Sequence, residues 1–258
     1  MGEFASIEKE GHLTIITINR ADRMNSLHPP ANEELAAAFD DFEADPDQWV
    51  AIITGAGDKA FSAGNDLRWQ AEGNAITVPE TGFAGLTSRF GMTKPVIAAV
   101  NGVAMGGGFE IALSADIIVA SENAVFALPE PRVGLAALAG GMQRLPRQIG
   151  LKNAMGMMLT GRRVPAAEGK DLGFVNEVVP AGEALEGAKK WAAMILECAP
   201  LSVRATKQVA MENLNVADLQ ESLDVKKYPA VFDMFKSEDM KEGPMAFAQK
   251  RAPNWQGK

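Results

Sequence analysis

An α/β core followed by a helical tail is the fold class that this sequence predicts, and three observations carry the prediction. Short apolar runs, such as Leu13 to Ile18 (LTIITI) and Val96 to Val100 (VIAAV), recur between helix-periodic stretches through about residue 180. That alternation is expected of a sheet covered by helices. A run of three glycines, Gly106 to Gly108, joins one such strand to an apolar helix. Beyond about residue 184 the strands stop: Ala184 to Glu197, Leu201 to Leu214 and Asp218 to Phe235 all show helical spacing, interrupted by Pro200 and Pro229. The expected division is a core over residues 1–197 and a helical region over 198–258.

Taken in order, Leu13 to Ile18 is a strand bounded by Gly11 and Asn19. Asn32 is placed to cap a helix carrying Leu35, Phe39 and Phe42 on one face. Val50 to Ile53 reads as a second buried strand. The loop that follows holds Lys59, Ser62, Ala63, Gly64, Asn65 and Asp66, and a looser region runs to about Gly82. Gly85 to Gly91 reads as helix, Val96 to Val100 as strand. Asp116 to Ala120 and Val125 to Ala127 read as further strands, Ala154 to Thr160 as helix, Arg163 to Lys170 as turn and helix, and Val175 to Val179 as strand. Ser237 and Gly243-Pro244 lead into a final helix carrying Phe247 and Lys250.

Composition narrows the function. The 258 residues are 47% hydrophobic and 22% charged, with a formal net charge of -8. An acidic chain is a poor match for nucleic acid or an anionic membrane. One cysteine, Cys198, excludes an internal disulfide framework and reads as a buried thiol. Glu3, Glu8 and Glu10 and the lack of an apolar stretch argue against a signal peptide, and MGEFAS fits the myristoylation pattern only loosely. No stretch is long and apolar enough for a bilayer, so the expectation is a cytoplasmic protein. His12 and His28 are the only histidines and lack partners at metal-ligand spacing, so no metal site is expected. The G-x-S-x-G, G-x-x-x-x-G-K-[ST] and G-x-G-x-x-G patterns are absent.

Chemistry points to the stretch Asn101 to Asp116, NGVAMGGGFEIALSAD. A glycine-rich turn into a helix presents unpaired N–H groups at the positive end of the helix dipole. Glu110 lies in the first turn beside those donors. A reaction that develops an oxyanion and needs a proton carrier would use both. A tight turn with a solvated Glu at the helix start fits this stretch equally well. Glu130, held between Pro129 and Pro131 near a second glycine pair, Gly140-Gly141, supplies another carboxylate. Two carboxylates fit addition or elimination of water and also glycoside hydrolysis. Only 7% of the residues are aromatic, which disfavours a sugar platform.

Together, KAFSAGNDL, KPVIAAVNGVAMGGGFEIALSADIIVA, FALPEPRVGL, GGMQRL and EGPMAFAQKR resemble the crotonase family of enoyl-CoA hydratases and isomerases across nearly the whole chain. Within the family, SAGNDL, GFAGLT and FALPE are most similar to carnitinyl-CoA dehydratases. The resemblance implies a crotonase (ClpP/crotonase-like) spiral of ββα units with a C-terminal helical trimerisation region, assembled as a homotrimer or dimer of trimers. It implies an oxyanion hole from the backbone of Asn65 and Gly107, with Glu110 and Glu130 as the catalytic pair. It places Met24, Lys59, Ala63, Gly64, Asp66, Leu67, Gly106 and Leu138 along the bound CoA ester, and Phe247 and Lys250 near the nucleotide. It implies no cofactor beyond the coenzyme A of the substrate. The segment Ala136-Ala137-Leu138-Ala139 departs from the proline and small or polar residue usual in the family. Leu138 is expected to narrow and dry the pocket. The implied activity is reversible hydration of a 2-enoyl-CoA, with Δ3,Δ2-enoyl-CoA isomerase, which needs one base, as the alternative.

Overall fold

The computed structural model describes residues 2–258. The chain runs β1 (Ala5–Glu10), β2 (Leu13–Ile18), α1 (Pro29–Ala44), β3 (Val50–Gly55), β4 (Ala60–Ser62), α2 (Leu67–Ala71), β5 (Val96–Val100), β6 (Val103–Met105) and α3 (Gly107–Ser114). It continues through β7 (Ile117–Ser121), β8 (Val125–Ala127), α4 (Gly141–Ile149), α5 (Leu151–Thr160), β9 (Val164–Pro165), α6 (Ala166–Leu172) and β10 (Glu177–Val179). The tail is α7 (Ala184–Leu196), α8 (Pro200–Asn213), α9 (Leu219–Ser222), α10 (Pro229–Lys236) and α11 (Asp239–Ala248).

Two sheets form, a six-stranded one in the order β1-β2-β3-β5-β7-β10 and a four-stranded one in the order β4-β6-β8-β9. Three successive turns of chain, β3–β4, β5–β6 and β7–β8, each place one strand in each sheet. The result is the expected spiral of ββα units. The inner strands β2, β3, β5 and β7 of the large sheet are buried on both faces, which is why they read as unbroken apolar runs, whereas the edge strand β1 is largely exposed. In β3, Ala51 and Ile53 join the main core with Phe39, Phe61 and Phe109. Val50 and Ile52 face the other way, into a second core with Ala184, Ala188 and Ala192 of α7.

Several local expectations are corrected. Asn32 is not the cap of α1: the helix starts at Pro29, after His28, because proline is already set for the first helical turn. Asn32 is instead buried inside the helix, where its Oδ1 accepts the Ala84 N–H at 2.7 Å. Gly85 to Gly91 is not a helix; a short 3₁₀ turn, Phe83–Gly85, is followed by irregular chain. Asp218 to Phe235 breaks into α9, a 3₁₀ turn and α10. Cys198 is exposed, just past the end of α7. Short β4 and β6, three residues each, lay within stretches read as loop and turn.

Helices α8 and α10 pack together around Ala205, Tyr228, Ala230 and Val231. This leaves Leu219, Leu223, Phe235 and Phe247 exposed on the tail. Among the described residues no helix is long and apolar enough to cross a membrane.

The centre of the main core is an aromatic cluster, with Phe109, Phe126 and Phe174 ring centroids 5.0–5.2 Å apart. Phe126 is fully buried on β8. Phe126→Ala is expected to destabilise the fold by about 3–5 kcal/mol, the usual cost of emptying a buried aromatic site, read as a lower urea midpoint with unchanged slope.

Candidate active site

Three strands of the small sheet run in parallel, and their C-terminal ends deliver the site. β6 pairs with β8 from Val103↔Val125 to Met105↔Ala127, and β4 pairs with β6 through Ala60↔Val103 and Ser62↔Ala104. The register shift in β4 leaves one extra residue, a bulge that re-aims the following chain. Past the ends come Ala63–Asp66 from β4, Gly106–Gly108 from β6, and Glu130 after β8.

Asn25 holds the first of these. It is fully buried and sits at φ +53°, a region that asparagine tolerates better than most residues. Its Nδ2 donates to Ala56 O at 2.9 Å and to Ala60 O at 2.7 Å, while its own carbonyl accepts from Ser62 Oγ at 2.8 Å. Leu27 then pairs with the loop, its N–H donating to Gly64 O at 2.7 Å and its carbonyl accepting from Asp66 N–H at 2.9 Å. The Met24 carbonyl accepts the Ala63 N–H at 2.9 Å. Among the described residues, the Asn65 N–H, which lies between these bonds, has no acceptor.

The glycine turn packs against this loop. Gly106 takes φ +52°, and a Cβ there would stand 3.0 Å from Glu130 Oε1. A Cβ on Gly107 would stand 2.5 Å from Phe83 Cε1, and one on Gly108 would run into the Ser62 carbonyl. Only glycine therefore allows this approach. Gly107 opens α3, and its N–H likewise has no acceptor among the described residues. A Cβ on Gly64 would stand 2.8 Å from Gly107 N, so the loop that carries the Asn65 donor packs directly against the Gly107 donor. Two preorganised backbone N–H groups are what an oxyanion requires.

The carboxylates flank that contact. Glu110 is buried one turn into α3 and accepts the Gly141 N–H at 2.9 Å. Desolvation pushes its pKa up to about 7; the nearby Glu130 charge adds to the rise, while the Gly141 and Ala139 N–H groups and Arg144 oppose it. Glu130 heads a 3₁₀ turn, Glu130–Val133, between its two prolines. Burial raises its pKa too, and its Oε2 is buried without a hydrogen-bond partner. Burial holds both carboxyls toward the protonated form; backbone N–H groups oppose this at each, and Glu130 keeps one oxygen without a partner.

The other predicted residues fall in three groups. Met24, Ala63, Gly64 and Gly106 are in or bonded to the site loops. Lys59 and Leu67 are exposed at either end of the Ala60–Asp66 segment. The Asp66 carboxylate is already engaged: it caps α2 by accepting from Arg68 and Trp69 N–H and pairs with Arg20 at 3.0 Å. Leu138 is 79% exposed, so on a single chain it does not dry a closed pocket. Phe247, 88% exposed, lies in the last turn of α11, which packs on α10, while Lys250 falls in the turn past that helix rather than on it; among the described residues no hydrogen bond joins either to the glycine turn. Sequence reasoning missed Gly141 as a donor to Glu110, Phe83 as the cover of Gly107, and Arg144. GGMQRL was noted for its glycine pair, yet the arginine four residues after Gly140 gave no pattern of its own. Among the described residues no group of three or more His, Cys, Asp or Glu side chains could hold a metal ion.

The profile of the enoyl-CoA hydratase/isomerase family matches residues 8–258. The chain belongs to this family. A carnitinyl-CoA dehydratase from Salmonella typhi is 43% identical, with both chains covered completely. The crystal structure of an enoyl-CoA hydratase from Mycobacterium tuberculosis superposes with a TM-score of 0.93 at 39% identity, over 100% of both chains. That of a carnitinyl-CoA hydratase from Mycobacterium avium gives 0.79 at 39% identity, again over 100% of both. The fold of this enoyl-CoA hydratase/isomerase family member is therefore the one that its sequence motifs implied.

The raised Glu110 pKa has a consequence for stability. Between the unperturbed value of 4.5 and about 7, the native state holds a proton that the unfolded chain has lost. Stability should therefore be full below about pH 4.5 on account of this group and fall as pH rises to about 7, by an amount on the order of 3 kcal/mol. In Glu110→Gln this fall is expected to flatten, as measured by urea unfolding at a series of pH values. The same slope in the variant as in wild type would contradict the assignment.

Proposed function

We propose that this protein catalyses the reversible addition of water to a 2-enoyl-CoA thioester. One observation carries the reading: the buried Glu110 and the half-buried Glu130, both with raised pKa values, lie beside two backbone N–H groups without acceptors. The thioester oxygen accepts from Asn65 and Gly107 N–H and takes up enolate charge. The Glu110 carboxylate removes a proton from water as the water oxygen bonds to Cβ. Glu130 delivers its proton to Cα, and the thioester carbonyl re-forms. In the reverse direction the same groups expel water. Losing one oxyanion donor typically costs about 2.7–4 kcal/mol of barrier, so the backbone contributes on the scale of either carboxylate.

The reaction needs no metal or redox cofactor; coenzyme A arrives as part of the substrate. Met24, Lys59, Ala63 and Leu67 border its path. The likeness to a carnitinyl-CoA dehydratase favours a 3-hydroxyacyl-CoA carrying a quaternary ammonium group as the substrate, with crotonobetainyl-CoA as the dehydrated form. We place the enzyme in the cytoplasm. We also propose a homotrimer or dimer of trimers, supported by the exposed Leu219, Leu223, Phe235 and Phe247 of the tail. In that assembly Phe247 and Lys250 would reach a nucleotide bound by a neighbouring subunit.

Two measurements check these statements. Glu110→Gln and Glu130→Gln are each expected to lower hydration of crotonyl-CoA or crotonobetainyl-CoA by roughly 10²–10⁴-fold, followed as loss of the enoyl absorbance. A Glu110→Gln protein that hydrates at the wild-type rate would refute the two-glutamate mechanism. One that instead keeps converting 3-enoyl-CoA to 2-enoyl-CoA, while Glu130→Gln does not, would identify a one-base isomerase. Sedimentation equilibrium at micromolar protein is expected to give a multiple of three chains; a monomer would overturn the assembly.

A further inference from the structure

Arg144, half-buried beside the glutamate pair, is a cation that the mechanism above leaves without a task. It lies on α4, one turn after Gly140. Its Nη2 donates to Thr87 O at 2.7 Å and its Nη1 reaches Ala139 O at 3.5 Å. The guanidinium carbon stands 5.7 Å from the centre of the Phe90 ring. Gly140, at φ +103°, leaves room for it: a Cβ there would collide with Nη1. Arg144 therefore joins the irregular chain at Thr87–Phe90 to the turn at Ala139–Gly141. That turn supplies the N–H groups that face Glu110.

We propose that Arg144 is a positioning residue for the hydration reaction: it holds the Ala139–Gly141 turn, and through that turn the Glu110 carboxylate, in the geometry and charge state that water activation uses. The proposal rests on the hydratase reading. Desolvation is the largest influence on Glu110, and two charged groups act on it besides. Glu130 opposes its ionisation from the 3₁₀ turn after β8, and Arg144 favours it from α4. Arg147, one turn further along α4, faces Arg144 rather than Glu110. A charged hydrogen-bonding fork suits this task because it fixes two carbonyls while its field reaches the carboxylate. The cost is burial, which lowers the pKa of Arg144 itself.

The test is a pH profile of kcat on crotonyl-CoA for wild type, Arg144→Met and Arg144→Lys. Loss of a nearby cation raises a carboxylate pKa, so the acid limb of Arg144→Met should move measurably to higher pH. Arg144→Lys keeps the charge but not the fork. Its limb should stay near that of wild type while kcat falls about tenfold or more. A folded Arg144→Met whose rate falls equally at every pH, with the limb unmoved, would reduce Arg144 to a structural brace and overturn the proposal. If Arg144→Met does not fold, Arg144→Lys decides, and a wild-type kcat there would overturn it. The ligand-free proteins give a readout that does not depend on the hydratase reading. The side-chain carboxyl carbon of Glu110, labelled with carbon-13, should titrate at higher pH in Arg144→Met than in wild type. An upshifted titration in proteins that turn over no enoyl-CoA would support the electrostatic link while refuting the reaction, and an unshifted one would refute the link.

Discussion

The parallel register of β4, β6 and β8 is the constraint on which the site depends. Each strand is three residues long. Three residues cannot hold a ladder in water by themselves. Phe61, Ala104 and Phe126 of these strands are therefore fully buried in the main core, and packing against the large sheet fixes what the hydrogen bonds alone would not. A slip of one residue would move a strand end by about 3.3 Å and turn its side chains to the other face. The unpaired N–H of residue 65, the glycine turn and Glu130 would then no longer meet. Backbone donors, unlike side chains, have no rotamers with which to recover such an error.

The same place concentrates groups that the fold would gain by replacing. Glu110 is 3% exposed, and Glu130 has a buried oxygen without a partner. Burying such groups costs free energy unless they are paired or protonated. Gly106 takes a backbone conformation that other residues resist, and Asn25 pairs its own positive φ with several hydrogen bonds. The surrounding aromatic cluster and the double-sided burial of the large sheet's inner strands offset these costs. Such conflicts between local preference and global structure are expected at functional sites.

Much of this was legible in the sequence, for reasons that the structure explains. β2, β3, β5 and β7 were readable because both faces of their sheet are buried, so their residues are apolar without alternation. The glycine turn was readable because a Cβ at each of residues 106 to 108 would meet another group of the chain. Its chemistry was less legible: Glu110 in a first helical turn looks the same whether solvated or buried, and only the resemblance of several separated motifs to one family separated those readings. What stayed hidden has no local pattern. β4 and β6 are too short for a period, and Asn32 looks like a helix cap because its role, accepting from Ala84 N–H, depends on chain 52 residues away. Arg144 was invisible for the same reason, since its shorter hydrogen bond is to Thr87 O, 57 residues away. Phe247 and Lys250 carry a motif, yet on this chain they lie on and just past a helix that packs on the tail.

The central claim is that Asn65 and Gly107 N–H together polarise a bound enoyl thioester. The difference Raman spectrum of a 2-enoyl-CoA bound to the Glu110→Gln protein tests it most directly, because slow turnover leaves the substrate intact. The account predicts that the conjugated enoyl and thioester carbonyl bands shift to lower frequency than in free solution, as electron density moves toward the oxygen. Bands at their free-solution positions for a ligand shown to be bound would contradict it.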